Sequence, residues 1–301
     1  MTVGPGSVPD VASGDEGPGV DGGGQVELPG MPPRLYAASP SKLLAFADCP
    51  RRYRLQYLDR PKPQPRPQRA HTSLGTAVHN ALRDWWDLPV ARRTPAAGAE
   101  LVRHGWIDAG FKDPEQSRRW RTRAEDEVAA YLDDVDPAEQ PVGIERTVAF
   151  TTDGLAVTGR IDRLDDRDGE LVVVDYKTSR SVPTDDDART SLPLALYAAA
   201  VWKMFRRACL RVELHHVPSG TVASHTHTPD SMARKVAQAR SLGADARRAD
   251  EDFARRGPGS DLFPPVVGPL CPWCDLRAHC PEGQRVGPEK SGWAALEDGP
   301  P

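Results

Sequence analysis

Apolar residues recur along this chain with two different periods, which divide it into predicted helices and strands. Helical spacing predicts helices that begin near Ser39 and that cover four later stretches, residues 73–87, 98–135 with a break near Pro114, 191–206 and 229–255. Alternation of apolar and polar positions predicts strands over residues 144–150, 155–161, 171–176, 210–217 and 221–226. Strands set among helices indicate an α/β or α+β domain.

The first two predicted strands form a hairpin, because Asp153 and Gly154 between them are a strong signal for a two-residue turn. With these two residues in the loop, Glu145 lies directly opposite Asp162 on one face of the hairpin. Residues paired in this way have Cβ atoms about 4.5–5.5 Å apart, so the two carboxylates repel each other unless a proton or a cation lies between them. A bulge in either strand would change this register.

The third predicted strand ends in a second set of charged side chains. Side chains alternate along a strand, so Asp175 and Lys177 share one face while Tyr176 lies on the other. Together with the hairpin carboxylates, Asp175 offers oxygen ligands of the kind that magnesium prefers. Lys177 has the charge to orient an attacking water molecule or to stabilise a developing negative charge. The alternative is an ordinary ion pair between Lys177 and a neighbouring aspartate.

Three of the five cysteines have the spacing of a metal centre. Cys271, Cys274 and Cys280 are separated by gaps of two and five residues, which is close enough for one shared metal site, and Cys49 lies 222 residues before Cys271. Spacing alone leaves zinc and an iron–sulfur cluster open. Cys209 stands in an apolar neighbourhood and is predicted to be buried.

Composition changes this picture at the two ends of the chain. Residues 1–30 contain nine Gly, four Pro and no aromatic residue, and the last residues are similar, so disorder is predicted for residues 1–37 and 285–301. Residues 1–30 also carry five acidic and no basic residues, so the net charge of −4 becomes about +1 for the remainder. No apolar run is long enough to cross a membrane and no secretory signal is visible, which predicts a cytoplasmic protein.

The charged strand ends resemble the PD-(D/E)XK nuclease core in its RecB-like form. The matching segments are Gly159–Arg163 (GRIDR) and Asp175–Thr178 (DYKT), and Asp175 lies thirteen positions after Asp162. His79, on the second predicted helix, resembles the helical histidine motif of the same family. The resemblance implies an α/β, restriction-endonuclease-like core, in which a mixed central sheet is flanked by helices, set in a helical frame with a C-terminal cysteine cluster.

The resemblance also implies roles for individual residues. The expected catalytic group consists of His79, Glu145, Asp162, Asp175 and Lys177. Among these, the ligands expected for Mg²⁺ or Mn²⁺ are His79, Asp162 and Asp175. Arg51 and Arg52 are the basic residues expected to contact nucleic acid.

The helix after the lysine strand departs from the family pattern at one position. The family usually has a glutamine four residues before a tyrosine; here the tyrosine is present as Tyr197, but the glutamine position is Pro193. Proline is tolerated in a first helical turn, with Ser191 as a cap, so the helix is expected to form. A side-chain contact to the active site or to DNA is lost.

The cysteines extend the resemblance to RecB-like nucleases that carry an iron–sulfur cluster, including AddB and some CRISPR-associated nucleases. These proteins have one upstream cysteine and three clustered cysteines near the end of the domain. The resemblance therefore implies a [4Fe–4S] cluster held by Cys49, Cys271, Cys274 and Cys280, with structural zinc as the alternative.

The resemblance extends over roughly residues 39–281 and implies a single nuclease domain at 38–284. Its parts are a helical segment at 38–140, the nuclease core at 141–227, and a final helix with the cysteine cluster at 228–284.

The resemblance implies a metal-dependent DNA nuclease that acts in repair or recombination. It would hydrolyse single-stranded or end-containing DNA as an exonuclease, and its expected partner is a helicase or another repair protein. The alternative is a catalytically weak DNA-binding or scaffold subunit that keeps the fold. Tyr53, Trp85 and Trp86 either stack on unpaired bases or belong to the core.

Overall fold

The computed structural model describes residues 35–297 of the chain. The predicted disordered ends therefore lie outside the described residues over 1–34 and 298–301. Among residues 35–297, no helix combines the length and the apolar character that crossing a bilayer requires.

Within the described residues, a mixed six-stranded sheet forms the centre of the fold. Its strands are β1 (Tyr36–Ala38), β2 (Gly143–Thr152), β3 (Leu155–Arg167), β4 (Glu170–Lys177), β5 (Arg211–His216) and β6 (Thr221–Thr226). The strands β1, β3, β4, β5 and β6 follow one another across the sheet, and β2 also pairs with β3. The β1–β3 and β4–β5 pairs are parallel and the other three pairs are antiparallel. The predicted mixed central sheet is confirmed.

Helices surround this sheet. They are α1 (Pro40–Asp48), α2 (Pro50–Tyr57), α3 (Ala70–Trp86), α4 (Pro95–His104), α5 (Pro114–Asp133), α6 (Asp185–Thr190), α7 (Leu192–Phe205), α8 (Pro229–Arg256) and α9 (Pro281–Gln284). Short 3₁₀ turns lie at Val90–Arg92, Val217–Ser219, Gly257–Gly259, Cys271–Trp273, Arg277–His279 and Ala294–Leu296. The helix predicted over 98–135 is the pair α4 and α5, with the predicted break at Pro114.

Several helices begin where a polar side chain precedes a proline. Proline has a helical φ and lacks the N–H that would be left unpaired in a first turn. The capping side chains that accept a backbone N–H in this way are Ser39, Thr94, Asp113, Ser191 and Thr228. At α7, the Ser191 hydroxyl accepts the N–H of Leu194 at 3.3 Å. The helix therefore begins normally although Pro193 occupies its first turn, as predicted.

The strand β4 is buried on both faces. Its residues Leu171, Val172, Val173 and Val174 are all 0% exposed. Val173 packs in the core cluster that contains α7 and the start of α8, whereas Val172 and Val174 pack in the cluster formed by α3, α4 and α5. This double burial holds β4 rigidly, and the charged end of β4 is positioned accordingly.

Three aromatic side chains that had two interpretations belong to the core. Tyr53 and Trp85 are 0% exposed and Trp86 is 4% exposed. The hypothesis that they stack on unpaired bases is wrong, because all three rings are enclosed by other side chains. Each also has a protein partner for its polar atom: for example, Trp85 Nε1 donates to the carbonyl of Thr94 at 3.0 Å.

The ordered part of the chain extends beyond both predicted boundaries. Residues 36–38 form β1, in which Tyr36 pairs with Leu155 of β3. After residue 285, where disorder was predicted, Leu296 is 3% exposed and its carbonyl accepts hydrogen bonds from Gln116 and Trp120. A few anchoring contacts thus order a stretch whose average composition is polar.

Arg93 ties the end of α3 to the chain that leads into β2. Its guanidinium donates to the carbonyl oxygens of Trp86 at 2.7 Å, Leu88 at 2.9 Å, Pro137 at 3.0 Å and Glu139 at 2.9 Å. These contacts fix α3 relative to β2, and both elements carry predicted site residues.

Replacing Arg93 should therefore destabilise the whole domain. Arg93→Met keeps much of the apolar stem but leaves four carbonyl groups without their donor, so the free energy of unfolding should fall by about 3 kcal/mol. Urea denaturation measures this change. Arg92→Met is the matched control, because Arg92 is exposed, and it should change stability by less than about 0.5 kcal/mol. Equal effects of the two substitutions would contradict the structural role of Arg93.

Candidate active site

The strands β3 and β4 diverge where the predicted catalytic residues lie. Their backbone pairing ends at Arg163 and Val174, whereas β4 stays paired with β5 as far as Lys177. Beyond the last β3–β4 pair, the N–H of Tyr176 donates to Oδ2 of Asp162 at 2.8 Å. A carboxylate thus replaces the backbone of β3 as the partner of Tyr176, and an open gap separates the two strands.

Glu145 reaches this gap from β2. The β2–β3 pairs, from Thr152 opposite Leu155 to Ile144 opposite Arg163, match the predicted register and leave Glu145 facing Asp162. Glu145 has a φ of 47°, in the left-handed region that residues other than glycine rarely adopt. Strain of this kind persists where the surroundings hold it, and functional sites are common examples.

The helix α3 supplies His79 to the same gap. His79 Nδ1 lies 3.4 Å from Asp162 Oδ2. Potential ligand atoms of His79, Glu145 and Asp162 lie within 4.8 Å of one another, and no other group of three His, Cys, Asp or Glu side chains in residues 35–297 does so. One imidazole and two carboxylates are donors that Mg²⁺ and Mn²⁺ accept, so these residues fit the divalent ion that the resemblance implies.

Asp175 and Lys177 form an ion pair at the end of β4. Lys177 Nζ lies 2.5 Å from Asp175 Oδ2. Asp175, which was predicted as a metal ligand, is outside the group of close ligand atoms, and Glu145 stands in that group instead. The sequence left two interpretations of Asp175 and Lys177, an ordinary ion pair and a catalytic pair, and their observed geometry fits both.

The electrostatics of the gap are dominated by its carboxylates. Burial raises the pKa of Asp175 and the negative charge of Asp162 raises it further, against the opposing effect of Lys177. Burial lowers the pKa of His79, but the hydrogen bond and charge of Asp162 outweigh this, and the net pKa is raised. At both groups the negative charge of Asp162 acts to raise the pKa, so a cation bound beside these carboxylates would relieve their repulsion.

Tyr197 lies against the GRIDR segment of β3. A Cβ atom added to Gly159 would come within 2.4 Å of Tyr197 Cε1, so a larger residue at position 159 would displace the ring. Burial raises the pKa of Tyr197 to about 12, with further contributions from the charges of Asp175 and Asp162. Tyr197 is therefore close to the carboxylates, and Pro193 lies one helical turn before it.

Arg160 is a site residue to which sequence reasoning gave no role. Its Nε lies 2.7 Å from Glu145 Oε2, and its side chain is 69% exposed at the mouth of the gap. Arg160 pairs across the hairpin with Thr147, two residues from Glu145. Diagonal neighbours of this kind are within reach of long side chains, so the predicted register already contained the signal.

The four predicted ligand cysteines line one cavity, although Cys49 is far in sequence from the other three. Arg51 and Arg52, predicted to contact nucleic acid, also lie at this cavity. Cys49 ends α1 and caps α2, and Cys280 caps α9. Backbone N–H groups approach three of the sulfurs: Arg52 and Val266 at Cys49 (3.5 Å each), Gly268 at Cys271 (3.4 Å) and Gly283 at Cys280 (3.4 Å). Cys209 is 0% exposed, as predicted.

The spacing of these sulfurs is wider than a single zinc ion requires. No three of them lie within 4.8 Å of one another. A tetrahedral zinc with Zn–S bonds of about 2.3 Å holds its sulfurs about 3.8 Å apart. All four candidate donors are thiols of residues that line one cavity, and such a donor set suits a metal centre held by thiolates.

The sequence model of the PD-(D/E)XK nuclease superfamily matches residues 37–281. A crystal structure of a candidate exonuclease from Eubacterium rectale is 12% identical, with 88% of this chain and 93% of that chain covered and a TM-score of 0.45. The crystal structure of SSO0001 is 15% identical, with 84% and 90% covered and a TM-score of 0.33. Comparison with curated proteins gives no match.

The family assignment rests on the sequence model. Its matched range includes α3, the β2–β3 hairpin, β4 and all four cysteines of the cavity. The gap between β3 and β4, with its histidine, three carboxylates and lysine, lies inside that range. This chain belongs to the PD-(D/E)XK nuclease superfamily.

Proposed function

We propose that this protein is a metal-dependent DNA nuclease of the RecB-like type. The observation that carries the proposal is the group of His79, Glu145 and Asp162 beside the Asp175–Lys177 pair, where β3 and β4 diverge. Nucleases of this superfamily generally use divalent ions, and this group has the donors to hold one.

Each side chain in the gap has a task in phosphodiester hydrolysis. His79, Glu145 and Asp162 hold Mg²⁺ or Mn²⁺, which when bound supplies Lewis acidity and a more acidic water molecule. Lys177 orients the attacking water or stabilises the charge that develops on the phosphate oxygens. Asp175 holds the Lys177 ammonium in place through their ion pair, and its second oxygen is available to the ion.

We further propose that Cys49, Cys271, Cys274 and Cys280 hold a [4Fe–4S] cluster. The wide sulfur spacing favours a cluster over one zinc ion, and the N–H groups directed at three sulfurs suit thiolate ligands. The cluster would join the α1–α2 corner to the segment that follows α8. Its role here is structural.

The substrate class follows from the resemblance to RecB-like enzymes. We propose DNA with a free end or a single-stranded region as the substrate, in cytoplasmic repair or recombination, and a helicase as a partner that unwinds it. Arg51 and Arg52, near the cysteine cavity, are the basic residues proposed to contact the strand. The domain limits proposed for this enzyme are residues 38–284, with the helical part at 38–140, the core at 141–227 and the C-terminal part at 228–284.

A second function has one observation in its favour. Pro193 replaces the glutamine that usually precedes the helical tyrosine, and a DNA-binding or scaffold subunit would tolerate that loss. The intact Asp175–Lys177 pair favours the enzyme, because a scaffold has no need of a lysine held 2.5 Å from a half-buried aspartate.

Cleavage of DNA should depend on the Asp175–Lys177 pair at the end of β4. Asp175→Asn and Lys177→Met should each reduce the cleavage rate of end-labelled single-stranded DNA in Mg²⁺ or Mn²⁺ by a factor on the order of 10²–10³, because each removes a charge that acts in the transition state. Melting temperatures should stay within a few degrees of wild type. Asp245→Asn, which breaks a surface pair with Arg248 on α8, is the control and should cleave normally. Wild-type rates in both β4 variants would remove the active-site assignment and favour the scaffold.

Metal binding should depend on the group around Asp162. Glu145→Gln should weaken Mn²⁺ binding at least about tenfold in calorimetric titration without DNA, because one carboxylate ligand is lost. Glu170→Gln, at the exposed start of β4, serves as the control for loss of one negative charge. An unchanged Mn²⁺ affinity in Glu145→Gln would remove Glu145 from the ligand set and return that place to Asp175.

The cysteine centre should stabilise the fold. A crosslink between Cys49 and Cys271 closes a loop of 222 residues, and in the chain-entropy model such a closure contributes about 5 kcal/mol. Cys49→Ser should therefore lose the visible absorption of anaerobically purified protein, lower the melting temperature strongly and abolish cleavage. Serine is itself a good helix cap, so the start of α2 survives and the loss reports on the ligand.

Two controls separate the cluster from other effects. Cys209→Ser and Asp175→Asn should both keep the absorption, since neither residue lines the cysteine cavity. If the purified protein contains neither iron nor zinc, the proposed metal centre at these four cysteines is refuted. Zinc in place of iron would refute only the iron–sulfur cluster.

A further inference from the structure

Arg160 is the most exposed charged side chain of the gap, and most of its donors have no partner. Its side chain is 69% exposed, against 41% for Lys177. Its Nε lies 2.7 Å from Glu145 Oε2. Among residues 35–297, the guanidinium makes no other ion pair and no hydrogen bond. The two terminal NH₂ groups, which together have four N–H donors, are therefore free to bind a ligand.

The strand β3 directs Arg160 to the same side of the sheet as Asp162. Ile161 is 1% exposed and packs in the core cluster that contains α7. Its two neighbours in the strand therefore project from the opposite face, and they lie about 7 Å apart along the strand. The ion pair with Glu145 brings the guanidinium to the edge of the group formed by His79, Glu145 and Asp162.

The charges of the gap cancel before any substrate arrives. Glu145, Asp162 and Asp175 carry three negative charges when ionised, whereas one divalent ion and Lys177 together carry three positive charges. A histidine that binds a metal is neutral. A phosphodiester adds one negative charge, and attack by a water molecule that loses its proton adds a second in the transition state. Stabilisation of this state therefore requires further positive charge close to the phosphorus.

Arg83 is a second guanidinium near Glu145, but it already has partners. On α3, Arg83 Nε donates to Asp84 Oδ1 at 2.7 Å and Nη1 donates to Asn80 Oδ1 at 3.1 Å. The hydrogen bond to Asp84 raises the pKa of Arg83, and the charge of Glu145 raises it further. The charge of Arg83 is thus largely offset by Asp84. Arg160 has no such dedicated partner, because Glu145 would share its charge with the bound ion.

We propose that Arg160 binds a non-bridging oxygen of the scissile phosphate and stabilises the charge that develops there during hydrolysis. This inference rests on the proposed nuclease function and adds a catalytic residue to it. In the reaction, the water oxygen forms a bond to phosphorus and the bond to one ester oxygen breaks, while the water loses a proton and the departing oxygen gains one. A planar guanidinium can donate to two oxygens of one phosphate, so Arg160 holds the phosphate at the mouth of the gap while Lys177 acts from β4.

Single-turnover cleavage, with DNA and Mn²⁺ both saturating, tests this role. Arg160→Gln should cleave end-labelled single-stranded DNA about 10–100-fold more slowly than wild type, because a charge that acts in the transition state is lost. Arg160→Lys should recover part of the rate, since an ammonium group supplies the charge without the fork. Both variants are expected to fold, because the side chain is exposed.

Arg146→Gln is the matched control for the loss of one positive charge. Arg146 is an exposed arginine of the same hairpin. It pairs with Ile161, so it projects from the other face, and its guanidinium lies over the ring of Phe205 at 4.8 Å. This variant should cleave as wild type does. Equal rates in Arg160→Gln and Arg146→Gln would overturn the proposal.

Calorimetric titration with Mn²⁺, without DNA, separates contact with the substrate from a role in holding Glu145. Removal of a cation beside the ligands should leave the Mn²⁺ affinity of Arg160→Gln unchanged or raise it by up to about threefold. A loss of affinity of about tenfold or more is expected if Arg160 only orients a metal ligand, and this result would also overturn the proposal.

The same measurements distinguish this inference from the nuclease function on which it rests. If wild type neither binds Mn²⁺ nor cleaves DNA, the proposed nuclease function fails and the role of Arg160 fails with it. If wild type binds Mn²⁺ and cleaves DNA, but Arg160→Gln cleaves at the same rate, only the role of Arg160 is refuted.

Discussion

The geometry of the site depends on the hydrogen bond that the Tyr176 N–H donates to the Asp162 carboxylate. Two adjacent antiparallel strands would normally continue to pair, and their side chains would then be spread over a regular surface. Here pairing of β3 with β4 stops at Arg163 and Val174, and Asp162 satisfies the next backbone donor with its side chain. The carboxylate is thereby fixed in the gap, and the same oxygen, Oδ2, faces His79.

Two neighbouring layers keep this gap from closing or widening. On one side, β4 remains paired with β5, and its valines are buried on both faces. On the other, the ring of Tyr176 is enclosed by the α3–α5 side of the core, where its hydroxyl accepts a hydrogen bond from Trp86 Nε1 at 3.3 Å. Like charges that would separate in solution are therefore held together by packing. Burial raises the pKa of Asp175, and the charge of Asp162 acts to raise the pKa of both Asp175 and His79, as expected for groups packed this closely.

Much of this arrangement could be predicted from local sequence signals. Asp153-Gly154 fixes the loop of the hairpin, and a two-residue loop fixes the register of every pair above it, so Glu145 opposite Asp162 followed from two turn residues. The boundaries of the long helices followed from capping side chains and prolines. The strand that carries Asp175 and Lys177 was predicted over residues 171–176 from an apolar run that ends in charged residues.

The features that escaped prediction depend on partners distant in sequence. The three-residue strand β1 has no period of its own and exists because β3 offers it an edge. The segment around Leu296 is ordered by Gln116 and Trp120, about 180 residues away. The left-handed backbone of Glu145 has no counterpart in the alternating pattern that predicted its strand. No local pattern encodes such conditions.

The position of Cys49 has a consequence for the time at which the molecule can be completed. During synthesis the ribosome adds about 5–20 residues per second, so roughly 10–45 s separate the appearance of Cys49 from that of Cys271. The sheet and most of the helices are made within this interval, while the first of the four thiols waits at the corner between α1 and α2. The cavity of the four cysteines is therefore complete only after nearly the whole domain has left the ribosome, and insertion of the proposed cluster would be a late step in the maturation of the protein.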